Sequence, residues 1–491
     1  VGKGEAHNRV ELGAQMVLHV IGKASFRLAI LEDRRVLGEE RAHCLRVARF
    51  KSGAIGLEGF FSARDILRRG VHRVHLMVRM RRVVHLLREG WQRYQRGNKR
   101  SRRDACQSLG HGSSILFEIS EPEKETLESG SRAAVIGGIT GTFEMPNTSP
   151  ITDSLEMLND KLKRAKDNMH CNYAFYFGAT NENSDKLSYL KGLDGCCGVK
   201  MFVGSSTGDL LVKDDFYIEQ VIKHSPKIVS IHSEDEDMLI SRKNIIEEGN
   251  VKSHYKWRSV ECAMSSTQKL IKLSNKHKKR IHILHITTKD EIDYVRDNKP
   301  EFATLETTPQ HLTMFAPDIY DQINTFAQIN PPIRTKEHQE GLWKGVDDNV
   351  ISIIGSDHSP HTKEEKNRSY PKSPSGMPGT QTIGLIMTDY YLKGKISLKK
   401  LVSLLCKNPC KIFGIENRGE IKEGNIADLT IYKLNKSFLI KDDWIESNCK
   451  WTPFNGREVD VSPFGTIIGG HKVVWEQKLL SKGKGKPYVF N

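Results

Sequence analysis

Ile228-Val-Ser-Ile-His232, the amphipathic stretch 260–276, and Ile281-His-Ile-Leu-His-Ile286 make one strand–helix–strand unit, and its reading decides the fold. Each apolar run is too short for a globular helix, and each reaches a histidine as it ends. A strand returning to a parallel strand through a helix implies a parallel sheet with both faces covered. The same rhythm extends in both directions. Short apolar runs recur at 172–177, 198–202, 303–307 and 350–356, separated by amphipathic stretches such as 154–166 and 216–224. Upstream, Ala133-Ala-Val-Ile-Gly-Gly-Ile-Thr140 and Thr142-Phe-Glu-Met145 read as a helix end, glycine punctuation and a strand. So many strand–helix repeats predict an α/β fold of the (β/α)8, TIM-barrel type. From Gly419 the pattern turns β again, at 419–432 and 465–472, which predicts a small accessory β domain.

The first 112 residues read differently. They hold 24 Lys and Arg against 10 Asp and Glu; the remaining chain holds 51 against 50, so nearly all of the net +15 belongs to this segment. The segment uses 20 Arg and 4 Lys, the rest 10 Arg and 41 Lys. A demand for positive charge does not explain so sharp a swap: Arg and Lys are chemically distinct, but no common fold needs such a division. A segment read in the wrong frame or joined in error accounts for it; a disordered basic tail and a nucleic-acid-binding arm are the other readings. The expected organisation is therefore an Arg-rich segment at 1–112, a barrel at 113–412 and the C-terminal part of a small β domain at 413–491. With the charge confined to 1–112, nucleic acid is not an expected partner of the body.

No apolar run approaches the ~18 residues a membrane span needs, and no apolar core followed by a small-residue cleavage site marks a secretory leader. The nine cysteines are scattered and form no paired CxxC motifs. They read as reduced thiols in a cytoplasmic protein rather than as a zinc–thiolate site.

Active sites of such barrels lie at the C-terminal ends of the strands. The polar residues closing the expected strands are Asn147, Lys200, His232, His285, His311, Asn330 and Asp357. One such residue could be a satisfied core group; several histidines, a Lys and an Asp on one face point to a metal. Lys200, among apolar neighbours, is costly to bury as an ammonium. It is either half of a buried ion pair or a carbamate, an anion able to bridge two divalent cations. Asp357 can ligate a cation and accept a proton. His282, three residues before His285, falls on the opposite face of a strand and reads as structural. His361, past a proline, reads as a loop histidine.

These motifs carry a family resemblance. Gly-Val-Lys-Met-Phe (198–202), Ile-His-Ser-Glu (231–234), Leu-His-Ile-Thr (284–287), Glu-Thr-Thr-Pro-Gln-His-Leu (306–312), Ile-Asn-Pro-Pro-Ile-Arg (329–334), Gly-Ser-Asp-His-Ser-Pro-His-Thr (355–362) and Pro-Ser-Gly-Met-Pro-Gly-Thr-Gln-Thr (374–382) occur in order. With Glu-Met-Pro-Asn-Thr (144–148) and Trp-Thr-Pro-Phe-Asn-Gly (451–456), the set resembles the dihydroorotases of the amidohydrolase superfamily over about residues 121–475. The resemblance implies a metal-dependent hydrolase of cyclic amides that interconverts dihydroorotate and N-carbamoyl-L-aspartate in pyrimidine biosynthesis. It implies zinc, ideally two ions, with Lys200 as carboxylated bridging ligand, His232 and His285 on the second metal, and Asp357 as metal ligand and general base. It also implies substrate contacts from Asn147, Asn330, His361 and Gly376, a small-molecule substrate and a homodimer. Hydantoinase or allantoinase activity, and an inactive homologue with a structural or regulatory role, are the alternatives. One departure is large: the family opens with His-x-His and a following Arg, and this chain has no His-x-His. Counting back from Glu121-Pro122 puts the two histidine positions on Leu116 and Glu118 and the Arg on Ser120. Only the second metal site is thus supported, and impaired activity is expected.

Overall fold

The computed structural model describes residues 104–107, 111–114, 123–206 and 210–490, the first two stretches by backbone alone. The chain divides into two units, Val1–Arg102 and Arg103–Asn491; the described residues belong to the second. The Arg-rich reading of 1–112 lies outside them, apart from two four-residue strands.

Thirteen strands are present among the described residues, in two sheets. The larger is parallel, in the order β2 (His111–Ser114), β3 (Gly141–Glu144), β4 (Asn172–Gly178), β5 (Cys196–Phe202), β6 (Val229–His232), β7 (Ile281–Ile283), β8 (Ala303–Thr307) and β9 (Ile353–Ile354). Sequence order equals spatial order, and helices such as Leu155–Ala165, Asp215–His224, Val260–His277 and Lys336–Asp347 run between strands. This is the arrangement of a (β/α)8 barrel. The smaller sheet is antiparallel: β1 (Asp104–Gln107), β10 (Leu429–Leu439), β11 (Glu458–Ile468), β12 (His471–Trp475) and β13 (Lys478–Leu479). Strand β1 lies ahead of residue 113, the expected start of the barrel, and β2 spans it. The basic run ends at Arg103, immediately before the backbone begins to pair at Asp104.

Period-two alternation divides the strands' side chains between two cores. Val229, Ile231, Ile281, Ile283, Leu305 and Ile354 join the large cluster shared with the helices. Phe143, Ala174, Tyr176, Leu284 and Ile353 join a second cluster with Phe413 and Tyr488. Tyr488 comes from the C-terminal segment. Its backbone N–H donates to the Tyr173 carbonyl (2.9 Å) and its carbonyl accepts from Gly195 (3.0 Å), at the starts of β4 and β5. The N-terminal end of the barrel is thereby plugged with aromatic rings, and polar inward positions remain at the other end.

Two expected strands are shorter than their apolar runs. The run 281–286 pairs only to Ile283, because His285 takes φ 37° and turns the chain out of the sheet. The run 350–356 pairs only at Ile353–Ile354, and Asp357 follows with φ 41°. Non-glycine residues at such angles cost ~1–3 kcal/mol each and gather at functional sites. The β pattern expected from 419 begins at Leu429 instead.

The ion pair of Lys161 with Glu144 is enclosed on all sides. Lys161, on the helix capped by Ser154, lies 2.8 Å from Glu144 at the end of β3; the two side chains are 2% and 1% exposed. Burial raises the carboxyl of Glu144 to about 7 and lowers the Lys161 amine, each opposed by its partner. Removing one partner strands a buried charge, so Lys161→Met is expected to cost ~3–5 kcal/mol. Lys161→Met combined with Glu144→Leu should recover most of that. Urea unfolding midpoints of the two variants check this; a double variant no more stable than the single one counts against it.

Candidate active site

The C-terminal end of the parallel sheet opens into a cavity. Its wall includes Asn147, Lys200, His232, His285, Asn330, Asp357 and Gly376, seven of the eight site residues expected from sequence. The eighth, His361, stands behind the wall. It is 2% exposed, and its Nε2 donates to the Ser375 carbonyl at 3.2 Å. It packs under Gly376, where a Cβ would come within 2.5 Å of Ser359 and 2.9 Å of the His361 ring. With φ 149° as well, position 376 accepts glycine alone.

Each polar group arrives by a local cause. Lys200 and His232 are inward residues near the ends of β5 and β6. His285 and Asp357 are aimed by the left-handed turns that close β7 and β9. His232 Nδ1 lies 3.1 Å from His285 Nε2, and His232 Nε2 lies 2.9 Å from Glu234. Glu234, itself 0% exposed, also takes the Arg258 guanidinium at 3.0 Å, and Arg258 reaches the Ser205 carbonyl. Because the carboxylate accepts, His232 donates through Nε2 and keeps a lone pair on Nδ1, toward His285. Burial, together with the nearby charge of Lys200, holds both rings well below the usual imidazole range, so both are neutral.

Lys200 Nζ sits 4.2 Å above the centre of the Phe202 ring. Burial pushes its amine down to about 7, with Asp357 and Glu306 opposing. Asp357 is pushed up to about 7 by burial, with Lys200 opposing. An amine lowered this far is available as the neutral nucleophile from which a carbamate forms.

Sequence reading missed Glu306, Ser206, Ser359 and Ser375, which also line the cavity. Glu306 was legible: it is an inward position of β8 by alternation with Leu305. The strand-end histidine taken from that motif, His311, is elsewhere. It lies on the short helix Pro309–Thr313, with Nδ1 2.8 Å from Thr308 Oγ1 and Nε2 donating to the Pro331 carbonyl at 3.0 Å. His282 does not lie on the opposite face: it points into the barrel, 2.9 Å from Thr304, edge-on to Phe413 and 3.5 Å from Glu306, and the left-handed turn at His285 is what lets both histidines face inward.

The site fits a divalent cation in part. Two nitrogens on one tetrahedral zinc, at ~2.0–2.1 Å from it, stand about 3.3 Å apart; His232 and His285 present theirs at 3.1 Å. Among the described residues no three His, Cys, Asp or Glu side chains converge to chelate a cation by themselves. A third donor would have to come from Lys200 or from residues outside the described ones.

Parallel barrel, plugged base and polar strand ends together define a barrel of the hydrolase type, and the sequence pattern of the Amidohydrolase family matches residues 99–473. The chain belongs to that family. The match begins earlier than Glu121, the first residue of the recognised motifs. Within the family, the chain is 32% identical to the dihydroorotase of Pyrococcus furiosus over 374 residues, 76% of this chain and 82% of that protein. It is also 32% identical to the dihydroorotase of Endomicrobium trichonymphae over 373 residues, 74% of this chain and 86% of that one. Among solved structures, the L-hydantoinase of Arthrobacter aurescens superposes with a TM-score of 0.75 at 23% identity, covering 79% of this chain and 89% of that one. The latter speaks for the fold. Among the described residues no helix is long and apolar enough to cross a membrane.

Beside the cavity, Lys366 is 0% exposed and donates to the carbonyls of Gln328 (3.0 Å) and Pro374 (2.8 Å), tying together the loops that carry Asn330 and Gly376. Burial lowers its amine from 10.5 to about 7. Between those values the unfolded chain holds a proton that the folded chain does not. Through this group, stability rises as pH climbs from 7 toward 10.5, and the penalty is fully present below 7. Lys366→Met should flatten the rise of melting temperature between pH 7 and 9. An unchanged slope would show that the group is not desolvated.

Proposed function

We propose that the chain is a dihydroorotase-type cyclic amide hydrolase, acting on dihydroorotate and N-carbamoyl-L-aspartate in pyrimidine synthesis and impaired by the loss of one ligand pair. The observation that carries this reading is the convergence of Lys200, His232, His285 and Asp357 with Asn147, Asn330 and Gly376 around one cavity. Four groups of that kind, costly to bury, have no common structural purpose. The 32% identity to dihydroorotases favours that substrate over a hydantoin.

His232 through Nδ1, His285 through Nε2 and Lys200 as its carbamate would hold a divalent ion, with Asp357 toward a second. Zinc suits these donors, though manganese and cobalt accept them too. When bound, such ions polarise the amide carbonyl and make water acidic enough to attack near neutral pH. The protein's own groups then supply the rest. Glu234 keeps His232 in the Nε2–H tautomer. Asp357 can take a proton from the attacking water and return it to the ring nitrogen as the C–N bond breaks. Asn147 and Asn330 offer amides to the ring's polar edge, and Gly376 lets a backbone approach it closely. The Arg that would face the substrate carboxylate is Ser120 here, and the two histidines are Leu116 and Glu118. Dihydroorotate binding is therefore expected to be weak as well as turnover slow. The cytoplasm is the proposed compartment and a homodimer the proposed assembly.

The test is metal content with dihydroorotate and hydantoin hydrolysis by the purified 491-residue chain. One tight zinc at most, and turnover close to background, are expected. Leu116→His with Glu118→His should raise the zinc stoichiometry toward two and restore ring opening of dihydroorotate in preference to hydantoin. Two tight zinc sites in the unaltered chain, or a preference for hydantoin in the restored one, would overturn the reading.

A further inference from the structure

His254 is a buried histidine that neither the family motifs nor the proposed chemistry employs. It lies on the short helix Ser253–Trp257, 1% exposed, between the rings of Trp257 and Tyr370. Its Nε2 is 3.1 Å from the Ile329 carbonyl oxygen and 3.0 Å from Asn330 Oδ1. Its Nδ1 has no hydrogen-bond partner among the described residues.

The hydrogen positions follow from these contacts. A backbone carbonyl only accepts, so Nε2 must carry the proton. A proton on Nδ1 instead would strand a buried donor and leave three lone-pair atoms facing one another. An N–H at Nε2 in turn decides the amide of Asn330. Turning that amide over would bring its NH2 against another N–H, two donors with nothing between them. The oxygen therefore stays against His254, and the NH2 is left for the opposite side, where Asn330 borders the cavity beside Ile329, Ser375 and Gly376. Burial also keeps the ring neutral, at about 3. A neutral ring gives Asn330 a fixed donor without placing a second positive charge near Arg258.

We propose that His254 is a positioning residue that locks the side-chain amide of Asn330 with its NH2 toward the cavity, so that the site grips a cyclic amide there by an acceptor oxygen, a ring carbonyl or a carboxylate, and not by a ring N–H. This deepens the reading of the cavity as a cyclic amide site and rests on it for the identity of the ligand.

Two measurements on the full chain test it. The 15N chemical shifts of the His254 ring at pH 7 report the tautomer without any ligand; Nε2–H is required, and Nδ1–H would overturn the proposal. Calorimetric titration with dihydroorotate then compares the unaltered chain with His254→Phe, His254→Gln and Asn330→Asp. Phe keeps a ring but offers no N–H, and should weaken binding about tenfold, the worth of one buried hydrogen bond. Gln can donate to the same oxygens and should regain most of that loss. Asp, which presents an acceptor on both sides, should weaken binding at least as much as Phe. A purely structural histidine would lower the melting temperature in both His254 variants without this split. Equal affinities for Phe and Gln variants, or no loss in Asn330→Asp, would overturn the proposal. Failure of the unaltered chain to bind either dihydroorotate or hydantoin would instead overturn the cyclic amide reading and the ligand half of this proposal with it, leaving the tautomer to be judged by its own spectrum.

Discussion

The cavity depends on one buried ion pair, Glu234 with Arg258. Neither side chain is more than 2% exposed, so neither charge has water to fall back on. The carboxylate is shared between Arg258 and His232 Nε2, and the guanidinium also binds the Ser205 carbonyl. The backbone carbonyl of Arg258 is held in turn by Arg334, which reaches Ser259 and Thr287 as well. The end of β6, the Ser253–Trp257 helix, the loop after β5 and the Ile-Asn-Pro-Pro-Ile-Arg segment are therefore parts of one hydrogen-bonded network. Breaking a pair of this kind costs far more than its net contribution, because the remaining charge stays buried. The network sets both the tautomer of His232 and the seat of Asn330, so chemistry and fold share the same atoms.

That sharing explains what sequence could and could not disclose. Strands with an apolar outer face and a helix behind them announce themselves through periodicity, and 172–178, 196–202 and 303–307 lay close to where alternation put them. Lys200, His232, His285 and Asp357 were legible because a polar residue ending an apolar run is an exception that local packing does not explain. Glu306 was passed over in favour of His311 because sequence shows which residues are polar, not which of two neighbours turns inward. That depends on where a strand stops and a helix starts. His361 was placed on the wall for a similar reason. Its separation from Gly376 by the Ser375 carbonyl is set by the path of a loop, and loops carry no period. His254 was invisible in the same way: its partners lie 75 and 76 residues further along the chain.

The first two strands make a different point. His111-Gly-Ser-Ser114 and Asp104-Ala-Cys-Gln107 have little of the β-branched and aromatic content that marks strands. They pair nonetheless, the first parallel to β3 from His111 opposite Gly141 to Ser114 opposite Glu144, the second antiparallel to β10. Main-chain N–H and C=O groups are common to every residue except proline, so an edge offered by a formed sheet can be filled by an indifferent sequence. A metal ligand cannot be replaced so freely. It must be a particular side chain at a particular distance past the strand end, and counting back along the sequence from Glu121-Pro122 assigns those positions to Leu116 and Glu118.

Fold and activity thus answer to constraints of different stringency within one segment. Seven parallel strands from β3 to β9, the aromatic plug around Tyr488 and the Glu234–Arg258 network all form from residues after 122, and together they assemble the part of the cavity that carries Lys200, His232, His285 and Asp357. What precedes them need only supply backbone to complete the sheet, but on the proposed reading it must also supply two imidazoles and a guanidinium to complete the chemistry. A chain altered upstream of Glu123 can therefore keep the architecture by which its family is recognised while losing part of the reaction. The surviving groups become diagnostic rather than redundant. His232 and His285 still face each other at 3.1 Å, and Lys200 still carries an amine lowered toward neutrality beside Asp357. Each of these costs folding energy, which on the proposed reading a bound cation would return.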